Sequence, residues 1–267
     1  LRVVPPDYGL YVEASRHFVA LLRQFSPKVE QYSIDEAWVD MTGTARLWGP
    51  PRLAADTMRQ RISRELGFTV NIGISSNKLL AKMAGDFEKP DKVHTLYPEE
   101  MEKKFWPLPV RDLFLVGSAT QQKLKLFGIY TIGDLAHADP EVLRRRLGKQ
   151  GEMLWHFANG RNADQVTSEA AENKGYSNSV TTAQDVVTAD QAHQVLLSLC
   201  ETVAARMRRD GKSGSRVTVH LRTGDFRHFS HQSRLTGSTC ITGQLYREVC
   251  RVFDEAWDRQ MPLRQLG

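Results

Sequence analysis

The stretch Val29-Glu30-Gln31-Tyr32-Ser33-Ile34-Asp35-Glu36-Ala37-Trp38-Val39-Asp40-Met41 places two adjacent carboxylates, Asp35 and Glu36, where one apolar strand gives way to another. Like charges a few ångströms apart raise each other's pKa unless a cation offsets them. Mg²⁺ offsets them well, because it binds through one or two carboxylates plus substrate phosphates. Two such ions can clamp the attacking and leaving oxygens of an in-line displacement at phosphorus. The pair therefore points to phosphoryl or nucleotidyl transfer. Taken alone, an Asp-Glu dipeptide reads more often as a solvated turn, and only its surroundings reverse that.

At 267 residues, the chain is long for one core, and two or three domains are expected. Hydrophobic residues make up 41% and charged residues 25%, an ordinary globular composition. No run of about 18 apolar residues exists, which excludes a helical membrane span, and no secretory signal precedes the first helix. The opening Leu1-Arg2-Val3-Val4-Pro5-Pro6 reads as mid-protein loop, so a segment is expected ahead of it. Cys200, Cys240 and Cys250 are odd in number and lack metal-ligand spacing. They suggest buried thiols in a reducing, cytoplasmic setting. Net charge is +5. From Lys174 to Arg234 there are nine Lys or Arg against five Asp or Glu, with His193, His220, His228 and His231 added. Nucleic acid is the commonest partner of such a surface, with a merely solvated basic face as the alternative.

Three regions follow. Residues 7–97 alternate helix and strand. Tyr8, Tyr11, Ser15, Phe18 and Leu22 recur as on one helical face, widened by Val12 and Val19. Two strands flank the acidic turn. Pro50-Pro51 opens a helix with Ala55, Met58, Ile62 and Leu66 inside, ended by Gly67. Phe68 to Ile74 reads as a strand, and Ser76 as the cap of a short helix to Ala84. With one more strand in front, this order would be a split βαβ sheet of the ferredoxin-like kind. Residues 98–168 are helical and punctuated by glycine. Leu113 to Gly128, then Ile129 to Gly151, give helix, glycine hairpin, helix twice. Such hairpins let backbone N–H groups approach a phosphate at a helix N-terminus and so grip a nucleic acid without reading its sequence. Gly128 and Gly148, taken singly, read more readily as helix C-caps, and it is the doubled arrangement that favours the grip.

Residues 174–267 form a separate α+β unit behind a polar linker. Val180 starts a strand, and Thr188 with Gln191 forms a capping box opening a helix. Val217, Val219 and Leu221 alternate inward, with Thr218, His220 and Arg222 outward. Phe226 to Arg234 returns as the partner strand. Arg222, Arg227, His228 and Ser230 are expected on the outer face as a phosphate track, although arginines also serve simply to protect strand edges. A second helix spans Gly243 to Trp257, and a last strand is expected after Leu266-Gly267.

In combination, Ser33-Ile34-Asp35-Glu36, Gly73-Ile74-Ser75-Ser76-Asn77-Lys78 with Ala81-Lys82, then Lys89-Pro90 and the doubled hairpins resemble the Y-family of translesion DNA polymerases, of the bacterial DNA polymerase IV type. The resemblance runs along the whole chain and implies an α+β multidomain fold. Residues 1–6 would be the tail of the fingers, 7–97 a partial ferredoxin-like palm, and 98–168 a helix-hairpin-helix thumb. Residues 169–173 would be a linker and 174–267 a βαββαβ little finger. It implies a template-directed polymerase acting in damage tolerance on primer-template DNA and deoxynucleoside triphosphates, and a monomer. Asp35 and Glu36 would hold two Mg²⁺ ions together with an aspartate on a strand upstream of Leu1. Lys89 would contact the triphosphate, whose charge needs a cation beyond the metals, and Lys82 ranks below it as an ordinary solvated helical lysine. Gly117, Thr120, Lys123, Gly148, Lys149 and Gly151 would grip DNA in the thumb. Arg222, Arg227, His228 and Ser230 would grip it in the little finger.

The chain departs from the family at Leu115, where the thumb hairpin usually has a glycine, which puts the first backbone grip in doubt. The fingers, the steric residue against ribonucleotides and the first metal aspartate belong ahead of Leu1, and the sliding-clamp peptide belongs beyond Gly267. Residues 1–267 alone are therefore expected to bind DNA without polymerising, with a non-catalytic scaffold relative as the alternative.

Overall fold

A computed structural model describes residues 3–169 and 172–267. The first two residues of the 1–6 tail, and Ala170 and Ala171 of the 169–173 linker, lie outside the described residues. The chain divides into two compact units, Leu1–Ala170 and Ala171–Gly267.

In the first unit, α1 (Tyr8–Leu22) starts where the Asp7 carboxylate accepts from the Leu10 N–H at 3.0 Å. Only its C-terminal half is buried: Ser15, Phe18, Val19, Leu21 and Leu22 face Phe25, Val29, Met58 and Ile62. Tyr8, Tyr11 and Val12, which the helical periodicity puts on the same stripe, are exposed, because the core they would join is packed only against the far end of the helix. β1 (Val29–Gln31) and β2 (Ala37–Val39) form an antiparallel hairpin around the acidic turn. The one-turn α2 (Ala45–Trp48) follows, then α3 (Pro51–Leu66), closed by Gly67 at φ +76°.

Of the expected strand Phe68–Ile74, only β3 (Ile72–Ile74) pairs, parallel to β4 (Val93–Thr95). Its partner is three residues long, so Phe68 and Val70 pack on the core without a ladder. β2 and β3 each pair on one side only among the described residues.

α4 (Lys78–Gly85) is capped by Asn77, whose Oδ1 accepts from the Leu80 N–H, and not by Ser76 as expected. It lies directly on β3. A Cβ on Gly73 would stand 1.9 Å from the Ala81 carbonyl oxygen and 2.4 Å from the Gly85 nitrogen. The other side of α4 buries Leu79, Leu80, Met83 and Ala84 in one core with the helical part: α5 (Met101–Lys104), α6 (Ser118–Lys125), α7 (Ile132–His137), α8 (Pro140–Leu147) and α9 (Lys149–Ala158).

The second unit runs β5 (Val180–Val186), α10 (Ala189–Arg209), β6 (Gly214–Thr223), β7 (His228–Thr239), α11 (Thr242–Ala256), β8 (Leu263–Leu266), with sheet order β5-β8-β6-β7. Thr188 and Gln191 form the expected capping box at the head of α10. Val217, Val219 and Leu221 are buried under α10 and α11.

The sequence reading placed no strand between Trp257 and Gly267, and this is corrected: Leu263–Leu266 is itself a strand and lies between β5 and β6. Sequence periodicity conceals it, because Leu263 and Leu266 are three apart and both fully buried. A register shift against Arg222 and Thr223 accommodates the extra residue.

Two outcomes are expected. Gly73→Ala forces α4 off β3 and lowers stability by about 3 kcal/mol in denaturant unfolding. In the second unit, Glu248 is held down to about 2 from 4.5 by hydrogen bonds from Arg251 and Ser233. A depressed carboxylate stabilises above its unfolded value and loses that contribution as pH falls towards its folded value. Thermal melting should therefore fall as the pH drops from about 4.5 towards about 2, and Glu248→Gln should flatten that limb.

Candidate metal and nucleotide site and nucleic-acid faces

The acidic turn is rigidly built. Tyr32 and Ser33 both donate their N–H to the Glu36 carbonyl, at 2.9 and 3.2 Å. Gln31 Nε2 donates to the Ser33 carbonyl at 2.9 Å and to Ser15 Oγ at 3.0 Å, tying the turn to α1. Ser33 Oγ donates to the Asp35 carboxylate at 2.8 Å, and Asp35 is exposed. Asp40 serves its own turn, accepting from the Thr42 N–H at 2.9 Å; its pKa is lowered first by the Thr42 hydroxyl and then by that N–H.

Glu36 points to α4. Lys82 Nζ stands 2.8 Å from Glu36 and 2.7 Å from Asp86, and Asp86 in turn holds Lys89 at 2.7 Å. Burial works against charge on both Lys82 and Asp86. The hydrogen bonds to Asp86 and Glu36 nonetheless hold Lys82 above its usual value, and Lys82 and Lys89 hold Asp86 below its own.

The expectation that Lys82 is an ordinary solvated helical lysine is corrected. The side chain of Lys82 is only 18% exposed and sits between two carboxylates, whereas that of Lys89 is 58% exposed. Lys89 stands on a loop fixed by Asn71, whose Nδ2 donates to the Gly85 and Glu88 carbonyls and whose Oδ1 accepts from the Lys92 N–H. Arg59 pairs with Asp91 on the same loop at 2.5 Å. Sequence reading missed Asp86 and Asn71. The signal for Asp86 was its spacing, four residues after Lys82 and three before Lys89, which favours ion pairs in helical backbone.

A second, half-buried pair flanks the turn. Lys78 Nζ lies 2.7 Å from Glu30 and 4.7 Å from the centre of the Trp38 ring, while Glu30 also accepts from the Thr167 N–H at 2.9 Å. Ser168 Oγ donates to the Pro27 carbonyl. Residues 167 and 168 are thus bound to β1 and its approach.

The donor set suits a hard cation in part. Asp35 and Glu36 offer carboxylate oxygens on neighbouring residues, and Glu36 already lies against a positive charge. Among the described residues, no three His, Cys, Asp or Glu side chains converge on one point as a metal cage.

In the helical part, Leu115 takes φ +67°, the left-handed conformation a glycine would favour, and its side chain is 48% exposed. Gly117 opens α6, and Gly148, at φ +65°, opens α9. Gln150 Nε2 reaches Thr120 Oγ1 at 3.5 Å, so the N-terminal turns of the two helices lie side by side. Lys123 and Lys149 are exposed. Gly151 is corrected from phosphate grip to packing. It is buried, its N–H donates to the Gly148 carbonyl, and a Cβ there would stand 2.4 Å from the Leu143 carbonyl oxygen.

On the second unit, Arg222 pairs with His228, His220 with Ser230, Thr218 with Gln232 and Arg216 with Arg234 across β6 and β7. These side chains share the face away from the helices. Arg227 is corrected. It lies in the turn, opposite the buried Thr223, and pairs with Asp225 at 2.8 Å, so alternation takes it off the face of His228.

Residues 1–86 match the impB/mucB/samB family, residues 173–267 match that family's C-terminal domain, and residues 111–162 match the thumb domain of DNA polymerase-iota. DNA polymerase IV of Clostridium acetobutylicum is 40% identical over 265 residues, 99% of this chain and 66% of that protein. DNA polymerase IV of Acetivibrio thermocellus is 33% identical over 269 residues, 100% of this chain and 67% of that protein. The chain thus spans about two thirds of the length of these curated relatives. A solved Y-family DNA polymerase chimera of Dbh and Dpo4 shares the fold, with a TM-score of 0.83 at 22% identity over 98% of this chain and 76% of that one. The sequence matches to both terminal domains, with relatives of this name along the full length, place the chain in the Y-family of DNA polymerases, of the bacterial DNA polymerase IV type.

Proposed function

We propose that this chain is the palm, thumb and little-finger portion of a translesion DNA polymerase that adds deoxynucleotides to a primer-template. The observation that carries the reading is the acidic turn: Asp35 and Glu36 are presented by a braced hairpin, with Lys89 on a fixed loop linked to Glu36 through Lys82 and Asp86. A scaffold has no use for two crowded carboxylates held this way.

Asp35 and Glu36 would hold Mg²⁺, with a further aspartate from a strand pairing between the free edges of β2 and β3, which would complete a split βαβ palm sheet. When bound, the ions supply activation of the primer 3′-hydroxyl and neutralise charge on the departing pyrophosphate. This chain's residues do the rest. Lys89 binds the triphosphate, and Asn71 keeps its loop from collapsing. Gly117, Thr120, Gly148 and Lys149 bring two helix N-termini to the DNA backbone, with Lys123 beside them. Arg222, His228 and Ser230 on the sheet face extend the phosphate track. By itself the chain binds primer-template without extending it, and contact with a sliding clamp belongs to sequence outside it.

In the full-length enzyme, Asp35→Ala or Glu36→Ala should lower primer-extension turnover at least about 100-fold with DNA affinity unchanged. Wild-type turnover in either variant refutes the assignment. Arg222→Ala should weaken DNA binding on all sequences alike and reduce the slope of log affinity against log salt by about 1, read by fluorescence anisotropy.

A further inference from the structure

Four charges alternate along one short path: Glu36, Lys82, Asp86, Lys89. Lys82 Nζ is 2.8 Å from Glu36 and 2.7 Å from Asp86, and Lys89 Nζ is 2.7 Å from the other oxygen of Asp86. One carboxylate, Asp86, thus serves two ammonium groups, and one ammonium, Lys82, serves two carboxylates. The end members are the two residues placed on metal and on triphosphate.

We infer that Asp86 is a positioning residue that makes triphosphate capture by Lys89 contingent on a divalent cation at Glu36. The inference rests on the reading of Glu36 and Lys89 given above and adds a coupling between them. A cation on Glu36 competes with Lys82 for the same carboxylate and repels it. Lys82, only 18% exposed, has one other anion within reach, Asp86. Asp86 cannot retreat from the approach, because it follows directly on α4 and the loop after it is bound by Asn71 at Gly85, Glu88 and Lys92.

As Lys82 draws on Asp86 more fully, the hold on Lys89 weakens. Lys89 is 58% exposed and stands at the open end of the path, so it is the member that leaves. A free ammonium beside a newly bound cation then favours a polyphosphate anion. By linkage, the polyphosphate strengthens cation binding to the same degree. A network that merely braced α4 against the hairpin would respond to neither ligand.

The test uses the full-length enzyme, in which the further aspartate completes the metal site. Acylation of individual lysines by an amine-reactive ester, read by peptide mass spectrometry, follows Lys89 through a Mn²⁺ titration at constant ionic strength. Electron paramagnetic resonance follows Mn²⁺ binding in the same samples. Lys89 acylation should rise severalfold over the Mn²⁺ range in which the metal binds. In Asp86→Asn it should be high from the start and insensitive to Mn²⁺. In Glu36→Gln, where Lys82 keeps Asp86 as its one carboxylate, it should likewise be raised from the start and insensitive to Mn²⁺, and Asp86→Glu should restore the response.

Metal binding with a constant Lys89 rate overturns the inference and leaves the site reading standing. So does a wild-type response in Asp86→Asn. Absence of Mn²⁺ binding overturns the assignment of Asp35 and Glu36, and the inference with it. Should Asp86→Asn fail to fold in a thermal melt, the Glu36→Gln and Asp86→Glu titrations decide alone.

Discussion

Everything at the acidic turn depends on how closely α4 lies on β3. Gly73 leaves no space for even a methyl group beneath the helix, and the contact is backbone against backbone. That contact sets the height of α4, which brings Lys78 to Glu30 and Trp38 and Lys82 to Glu36. The opposite side of the same helix is buried with the apolar residues of α6 to α9. One short helix therefore fixes the charged site on one side and the hairpin helices on the other. Interiors packed at crystal-like density transmit such constraints because they do not yield.

Much of this was legible in the sequence. The acidic turn, α3 with its closing glycine, the capping box at Thr188 and the alternation in β6 each follow from one local rule. What was hidden depended on partners distant in the chain. The short β3 is limited by β4, twenty-one residues on, and the buried half of α1 by where the core ends. β8 was hidden by a register shift, since an extra residue converts a period of two into a spacing of three.

At the site, residue types were legible while the surroundings of Lys82 were not. A lysine on a helix is usually solvated, and nothing local marks Lys82 as the one held between Glu36 and Asp86. Glycines gave a similar lesson in the hairpins. Gly148 is exposed at a positive φ, whereas Gly151 three residues later makes room for a neighbouring carbonyl. The spacing that suggested one role for both comes from two different physical demands.

Leu115 adopts a left-handed backbone where a glycine would be at ease. The strain is on the order of 1 kcal/mol in the folded state. A leucine, however, has fewer unfolded conformations to lose than a glycine, which returns part of that cost. The strain exceeds that return, so at this position leucine folds at a small net cost relative to glycine. What the exchange alters is an apolar side chain presented to solvent ahead of α6. The strain thus leaves the hairpin formed and sets an apolar knob on the surface where a glycine would leave bare backbone.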